Sequence, residues 1–214
     1  MIPILFQDRR FVVLNKPAGL AVHAGPRGGP SVEDHFPGLS RRQDGPWLAH
    51  RLDADTAGCL VVALRKSALI AAQQAFAAGG AHKTYWAVVR GAPTADSGIV
   101  AAKLRRHSDK SGWRMLVDAA GLSAETTWQV RGRGPGIAWV AFHPRTGRTH
   151  QIRAHAAHLG WPILGDPIYG PPAGHADRLH LLARAIRLDL DPPLAAEAPP
   201  PAHMLAALRS CGFG

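Results

Sequence analysis

The segment "LAHRLDADTAGCLVVAL", residues 48–64, places charged side chains where chemistry is commonly done. Arg51, Asp53 and Asp55 occupy alternate positions directly ahead of the apolar run "CLVVAL", which predicts a buried strand. A turn that enters a sheet has a rigidly supported backbone, while its side chains still reach solvent. We therefore interpret this turn as a candidate site, in which a carboxylate acts as a base or as a nucleophile.

The elements that must position this turn read as a mixture of strands and helices. The segments "SVEDHF", with Ser31 as its cap, "SALIAAQQAFAAGG", with Ser67 as its cap, and "THQIRAHAAHLG", with Thr149 as its cap, predict helical turns or helices. A glycine-rich loop, "HAGPRGGP", follows the second strand. The predicted strands are "ILFQ", "RFVVLNKP", "CLVVAL", "HKTYWAVVRG", "GIVAAKL", "GWRMLVDA", "SAETTWQVRG", "IAWVAFHP" and "LHLLARAIRLDL".

The short Gly- and Asp-rich turns between the middle strands favour antiparallel pairing through hairpins. The sequence therefore predicts an α+β fold: a mixed, mainly antiparallel sheet with flanking helices and loops around a cleft. With 214 residues and 46% apolar residues, the chain can bury a core of ordinary size. Because no Ser/Pro/Gly-rich linker divides it, we expect residues 1–214 to form a single domain.

The net charge points to a polyanionic partner. Twenty-five Lys and Arg residues against fifteen Asp and Glu residues give a net charge of +10, and the sequence pI is about 10.8. Nucleic acid is the leading candidate, because most of the excess is arginine, whose planar guanidinium binds phosphate and stacks on bases. Base bias in an Ala-, Gly-, Pro- and Arg-rich chain is the alternative explanation.

Several other classes of chemistry are not indicated. No glycine-rich motif has the spacing or the following helix of a nucleotide-binding loop, so we expect no cofactor. His150, His155 and His158 lack a cysteine or carboxylate at ligand spacing, so we expect no metal site. Cys59 and Cys211, the only cysteines, are expected to be reduced thiols.

The longest apolar run is far shorter than the roughly 20 residues that span a bilayer, and the amino terminus lacks the features of a signal peptide. We therefore expect a cytoplasmic protein that does not enter a membrane.

Three long motifs carry a resemblance to a known family. The segments "HRLDADTAG", "KTYWAVVRG" and "GRTHQIRAHAAHLGWPILGDPIYG", in this order, resemble the signatures of the RluA family of pseudouridine synthases. The likeness extends from "VVLNKPAGLAVHAG" to "LHLLARAIRL" and so covers most of the chain. One departure is Ala57, where the family usually has Ser. We expect this change to affect loop packing or a local hydrogen bond without touching the carboxylate.

The resemblance implies that the protein isomerises uridine in structured RNA to pseudouridine. This reaction breaks the bond from the base nitrogen to the sugar, turns the uracil over and bonds its carbon 5 to the same sugar carbon. It needs neither a redox step nor an energy source. One carboxylate suffices, either as a nucleophile on the sugar or as a base that removes the 2′ proton to give a glycal, and the sequence leaves both routes open.

By the same resemblance, three residues are catalytic. Asp53 is the carboxylate, with a turn or N-cap role as its alternative, whereas a turn role is favoured for Asp55. Arg153 pairs with the catalytic carboxylate, the alternatives being an exposed helix residue or a phosphate contact. Tyr85 stacks on the extruded uracil and assists at carbon 5, and its alternative is a half-buried strand tyrosine.

RNA contacts are expected around these residues. Arg51 is expected to fill the space left by the flipped uridine and to face the RNA together with Asp53, since residues two apart in an extended chain point the same way. A surface ion pair with Asp55 is its weaker alternative. The other expected RNA-binding residues are His50, Lys83, Arg148, His150 and Gln151.

Two other functions are alternatives to this one. A glycosidase-like hydrolase would need a second catalytic carboxylate across the sugar, and no other acidic residue has support comparable to that of Asp53. A non-catalytic RNA-binding protein would not explain a carboxylate inside a basic motif. The expected partner is a tRNA stem-loop or an rRNA hairpin. No obligate protein partner is evident, so we expect a monomer.

Overall fold

The computed structural model describes residues 1–25, 28–40, 44–110, 112–171 and 178–214. Part of the predicted glycine-rich loop, residues 26–27, lies outside these ranges. The strands are β1 (Ile4–Gln7), β2 (Phe11–Lys16), β3 (Trp47–Leu48), β4 (Ala57–Ala63), β5 (Ala81–Arg90), β6 (Ser97–Ala101), β7 (Leu104–Asp109), β8 (Gly112–Val117), β9 (Glu125–Gly134), β10 (Ile137–Pro144), β11 (Leu181–Leu188) and β12 (Leu194–Glu197). The α-helices are α1 (Lys66–Ala77), α2 (Gln151–His158) and α3 (Ala202–Ser210), and Val32–Gly38 forms a 3-10 helix.

The chain divides into two compact units. Unit 1 contains Met1–Lys83 and Leu182–Pro201, and unit 2 contains Thr84–Leu181 and Ala202–Gly214. No described helix is long and apolar enough to span a membrane.

Unit 1 is built on a sheet with β4 at its centre. The strands follow the order β1, β2, β4, β11, with β3 beside β4 and β12 beside β11. Every residue of β4 is buried, as the uninterrupted apolar run predicts. The pairing of β4 with β11 is parallel, whereas the other pairs are antiparallel. This one parallel pair makes the sheet mixed, as expected.

Unit 2 holds an antiparallel sheet in the order β5, β10, β9, β6, and a separate two-stranded ribbon of β7 and β8. Alternate residues of β5 and β10, including Ala87, Val89, Val140 and Phe142, form its core with Ile152 of α2. The ribbon packs through Leu104 and Met115 onto Ala154 of α2. The predicted α+β class and the mainly antiparallel pairing are therefore confirmed.

The helix starts differ from prediction. Helix α1 begins at Lys66 after Arg65, so Ser67 lies inside the helix and is not its cap. Helix α2 begins at Gln151, and its capping residue is His150 in a left-handed conformation with φ 51°, not Thr149. The 3-10 helix does begin after Ser31, whose backbone N–H donates to the Asp34 carboxylate.

Four elements were missed or only partly predicted. Strands β3 and β12 have two and four residues, which is too short for a periodic pattern. Strand β7 begins at the end of the predicted strand "GIVAAKL" and continues through polar residues. Helix α3 buries Met204 and Leu208 at a spacing of four, a helical signal that the preceding prolines obscured.

Gly58 gives a test of how β4 is placed beside β11. Its φ is +109°, and an added Cβ would meet the Ala183 carbonyl oxygen of β11. We expect Gly58→Ala to lower the free energy of unfolding by about 1–3 kcal/mol, because it combines overpacking with backbone strain. Chemical denaturation measures this change. Gly38→Ala, where an added Cβ would meet nothing within 4 Å, should change stability by less than about 0.5 kcal/mol; equal effects would contradict the interpretation.

Candidate active site

The loop between β3 and β4 carries the first motif. A backbone hydrogen bond of 3.1 Å from Thr56 N to Asp53 O closes a turn there, which confirms the turn predicted at the entry to the sheet. Asp53 is partly buried, whereas Arg51 and Asp55 are exposed. The two carboxylates thus differ in environment, and no ion pair joins Arg51 to Asp55 in the part of the chain described here.

Lys16, which the sequence analysis did not single out, anchors this loop from the protein interior. The residue is fully buried, and its Nζ donates to the carbonyl oxygens of Pro17 at 3.0 Å, Leu20 at 2.8 Å and Ala54 at 2.7 Å. Burial lowers the pKa of Lys16 to about 8, while the charges of Asp55 and Asp53 oppose that shift. Lys16 is therefore mostly cationic at neutral pH and ties the residue after Asp53 to the end of β2.

His50 faces inward rather than toward solvent. Its Nε2 accepts a hydrogen bond of 3.0 Å from Val61 N of β4, and its ring lies 5.3 Å from that of Phe76 on α1. Desolvation lowers the pKa of His50 to about 4, and the charge of Lys83 adds to the shift. At neutral pH the ring is therefore neutral, which suits the acceptor role of Nε2.

The second motif lies on β5, where the two units meet in the sequence. Lys83 is half-buried in unit 1, and desolvation lowers its pKa. Tyr85 belongs to unit 2, where it pairs in register with Phe142 of β10 and packs against the core. Tyr85 is thus a partly buried strand residue, which is compatible with both the catalytic and the structural interpretation.

The third motif places Arg153 in the interior of unit 2. The guanidinium is 2% exposed, and its Nε and Nη2 donate to the two carboxylate oxygens of Asp166, both at 2.8 Å. Asp166 Oδ1 also accepts from the backbone N–H groups of Ile168 and Tyr169. The alternative that Arg153 is an exposed helix residue is therefore wrong. Its predicted pairing with the catalytic carboxylate stays a prediction.

His150 and Tyr169 complete the surroundings of this arginine. Arg153 Nη1 lies 3.3 Å from His150 Nε2, and the guanidinium carbon lies 5.3 Å from the centre of the Tyr169 ring. His150 Nδ1 lies 3.0 Å from Tyr169 Oη, which also accepts from Met115 N of β8. The left-handed backbone at His150 is what points its ring into this cluster.

Arg148 and Gln151 order the loop that precedes α2. Gln151 is buried; its Oε1 accepts from Thr146 Oγ1 and Arg148 N, and its Nε2 donates to Glu125 O. Arg148 is exposed, and its Nε donates to Ser123 O at 3.0 Å. The amide of Gln151 is thus occupied by internal hydrogen bonds, whereas the guanidinium of Arg148 still faces solvent.

The structure therefore brings the predicted residues together in groups within each unit. In unit 1, His50, Arg51 and Asp53 share one loop, and in unit 2, His150 contacts Arg153 and Arg148 contacts Gln151. Sequence reasoning missed Lys16, Asp166 and Tyr169. All three lie in segments that resemble the family, "NKP" and "GDPIYG". Within the described ranges, no group of three His, Cys, Asp or Glu residues is arranged to hold a metal ion.

Residues 10–158 match the RNA pseudouridylate synthase family, a span that includes all three predicted catalytic residues. The chain belongs to this family, which confirms the resemblance read from its motifs.

Individual relatives agree with this assignment. The chain is 40% identical to an uncharacterized RNA pseudouridine synthase of Zymomonas mobilis, covering 92% of this chain and 93% of that protein. It is 36% identical to the ribosomal large subunit pseudouridine synthase C of Haemophilus ducreyi, covering 87% of this chain but only 61% of that protein.

Among solved structures, human RNA pseudouridylate synthase domain containing 4 superposes with a TM-score of 0.81 at 28% identity, covering 97% of this chain and 92% of that one. Human RNA pseudouridylate synthase domain containing 1 gives a TM-score of 0.79 at 27% identity, covering 93% and 83%. The predicted pseudouridine synthase fold is confirmed.

The environment of His50 predicts a pH dependence of stability. Its pKa is about 4 in the folded protein against an ordinary value of 6.5 for histidine, so the unfolded chain binds more protons between these values. Stability should therefore be fully present above pH 6.5 and should fall toward pH 4, with about 3 kcal/mol from this residue. Denaturation of the wild type and of His50→Asn across this range measures the difference in slope.

The His50→Asn variant should be less stable at neutral pH but should lose less stability on acidification. His158→Asn, which alters an exposed histidine, should keep the slope of the wild type. A His50→Asn variant that also keeps the wild-type slope would show that His50 does not titrate as its burial implies.

The buried pair predicts a large effect of Asp166→Asn. The amide keeps the shape of the side chain but leaves Arg153 as a buried cation without its counter-charge, so we expect a loss of about 3 kcal/mol or more in the free energy of unfolding. The matched control is Asp96→Asn, because Asp96 pairs with Arg133 at 2.9 Å but has a side chain 86% exposed. That exposed pair should contribute less than about 1 kcal/mol. Similar losses from both variants would contradict the buried-pair argument.

Proposed function

We propose that this protein converts uridine in structured RNA to pseudouridine, with Asp53 as the catalytic carboxylate. The observation that carries the proposal is the family match over residues 10–158, which includes Asp53 on a loop that Lys16 anchors. That match runs through both units, which supports the proposal that residues 1–214 act as one catalytic domain. The reaction requires no cofactor, since it rearranges bonds without oxidation or an energy source.

Both available routes begin at the Asp53 carboxylate. In one, a carboxylate oxygen attacks C1′ of the ribose and the C1′–N1 bond breaks, leaving its electron pair on uracil. In the other, the carboxylate removes the 2′ proton as N1 leaves, which gives a glycal. Carbon 5 of the turned uracil then bonds to C1′: in the first route this bond displaces the Asp53 oxygen from C1′, and in the second the proton held by Asp53 returns to C2′. In both, the proton on carbon 5 is lost to solvent while N1 gains a proton. The partial burial of Asp53 supports a reactive rather than a surface role.

Arg153 and Tyr85 complete the proposed catalytic set. Arg153 supplies the cation that favours the ionised form of the Asp53 carboxylate, and Tyr85 stacks on the detached uracil. What supports these roles is that both side chains are held in place: Arg153 by its two hydrogen bonds to Asp166 and Tyr85 by its packing against the core of unit 2. A guanidinium and a ring that do not need to be ordered lose little entropy when substrate binds.

The exposed cations are proposed to contact the RNA. Arg51 is solvent-exposed on the Asp53 loop and fills the space that the flipped uridine leaves. Arg148 and the half-buried Lys83 contact phosphates. His50, His150 and Gln151, which the sequence analysis assigned to RNA contacts, have side chains engaged inside the protein, so we propose that they act by positioning their neighbours.

For the substrate we propose an rRNA hairpin or a tRNA stem-loop. The Haemophilus ducreyi relative is named for the large ribosomal subunit, which supports rRNA. The net charge of +10 suits a polyanion of either kind. We place the reaction in the cytoplasm, where both RNAs are found, and propose that the protein acts as a monomer.

Exchange of the two aspartates tests this proposal. Asp53→Asn keeps size and hydrogen bonding but cannot attack the sugar or take its proton, so release of tritium from RNA labelled at uracil carbon 5 should disappear. RNA binding should persist, because a negative charge has left the site of a polyanion. Asp55→Asn is the matched control: Asp55 is exposed at the same turn, and this variant should retain most activity. Turnover by a folded, RNA-binding Asp53→Asn protein would overturn the mechanism, and loss in both variants would favour a two-carboxylate hydrolase.

A further inference from the structure

The ribbon of β7 and β8 carries an aromatic and cationic column that the proposed function does not use. The guanidinium carbon of Arg106 lies 4.8 Å from the centre of the Trp113 ring. On the same indole, the His150 ring is stacked at 4.8 Å with an interplanar angle of 24°. His150 in turn lies 3.3 Å from Arg153 Nη1. The column therefore leads from a surface cation to the arginine of the proposed catalytic set.

Strand pairing defines which face of the ribbon holds this column. Arg106 pairs with Met115, which packs toward α2, and Ser108 pairs with Trp113. Directly paired residues lie on one face of a two-stranded ribbon, so Arg106 and Trp113 project from the face that meets α2. Arg105 pairs with Leu116 and projects from the opposite face.

The column is held in place and still reaches solvent. His150 is 9% exposed, and Tyr169 Oη binds both His150 Nδ1 and the backbone of Met115. Trp113, by contrast, is 39% exposed, and Arg106 is also exposed. An ordered indole and guanidinium at a surface form a flat platform on which a planar group can stack without first being organised.

The charges of the ribbon distinguish Arg106 from its neighbours. Arg105 lies 3.6 Å from the carboxylate of Asp118, and Arg114 lies 3.6 Å from that of Asp109. The contact of Arg106 is with an aromatic ring instead. A guanidinium that lies over a ring and beside solvent matches the face of a nucleobase, whereas one that is paired with a carboxylate is already neutralised.

We propose that Arg106 and Trp113 form a stacking site for an unpaired nucleobase of the bound RNA, close in sequence to the target uridine. This inference rests on the proposed function, since it assumes an RNA substrate. Its chemistry is non-covalent: the base stacks on the Arg106–Trp113 platform, and His150 supports the platform from its buried side. The site recognises an aromatic base face and does not depend on the identity of the base.

Removal of single bases from an RNA hairpin tests the proposal. The probe is an RNA hairpin with a single-stranded loop that contains uridine, together with a set of hairpins in which one loop nucleotide at a time is abasic. For the wild-type protein we expect affinity to fall about tenfold at one abasic position other than the target uridine, as loss of one stacked base predicts. Equal affinity for all the abasic hairpins would overturn the proposal. Because abasic RNA keeps every phosphate, a loss at one position reports the missing base and not a missing phosphate contact.

Variants then assign that base to the column. Trp113→Ala should bind the intact hairpin about tenfold more weakly and should show no further loss at the sensitive abasic position. Arg106→Gln, which alters an exposed side chain, should show the same loss of base dependence and so covers the case in which Trp113→Ala does not fold. Arg105→Gln is the matched control, because it removes the same charge from the next residue on the opposite face. It should keep the base dependence of the wild type.

The outcomes separate this site from the proposed function. If Arg105→Gln loses the base dependence together with Arg106→Gln, net charge explains the binding and the stacking site is wrong. If the wild-type protein shows the base dependence but releases no tritium from uridine-labelled RNA, the proposed function fails and the stacking site stands. If tritium is released but base removal has the same effect in Trp113→Ala as in the wild type, the stacking site fails and the proposed function stands.

Discussion

Each unit of this protein buries a cation, and the cost of doing so shapes what surrounds it. An ammonium or guanidinium withdrawn from water is destabilising unless its N–H groups meet acceptors of good geometry. In unit 1, Lys16 meets three backbone carbonyl oxygens, and in unit 2, Arg153 meets both carboxylate oxygens of Asp166. The chain is therefore obliged to hold these acceptors in fixed places, and one of them, the Ala54 carbonyl oxygen, belongs to the loop that carries Asp53.

The acceptors of the two buried cations differ in charge: those of Lys16 are neutral carbonyl oxygens, whereas that of Arg153 is a carboxylate. Carbonyl oxygens neutralise no charge, so Lys16 keeps a positive field beneath the loop of Asp53 and Asp55, and these carboxylates in turn favour its ionised form. Arg153 is bound through two hydrogen bonds by Asp166, which fixes the orientation of its guanidinium plane. The proposed reaction at a single carboxylate requires a rigid site. The loop anchored by Lys16 and the guanidinium held by Asp166 meet this requirement, because neither has to be ordered by the substrate.

How far the sequence could predict this arrangement depended on whether the signal was local. Strand β4 was predicted correctly because its apolar run is a property of the strand itself, and the turn at Asp53 because Asp and Thr favour turns. Lys16 could not be recognised as buried, since its three acceptors come from residues 17, 20 and 54, and only the fold brings residue 54 to it. The left-handed cap at His150 was missed for a similar reason: the ring contacts that accompany this conformation are with Trp113 and Tyr169, which lie elsewhere in the sequence.

The same contacts explain why the residues of a motif do not all act in the same way. In "GRTHQIR", Arg148 faces solvent, Gln151 is bound to its own loop and to β9, and Arg153 is bound to a carboxylate thirteen residues further along the chain. A polar side chain whose donors and acceptors are met inside the protein has little left to offer a substrate, because freeing it would expose unsatisfied partners. Burial thus divides the motif into residues that face solvent, which we propose contact the RNA, and residues whose polar groups are bound within the protein. Residue type alone does not reveal this division.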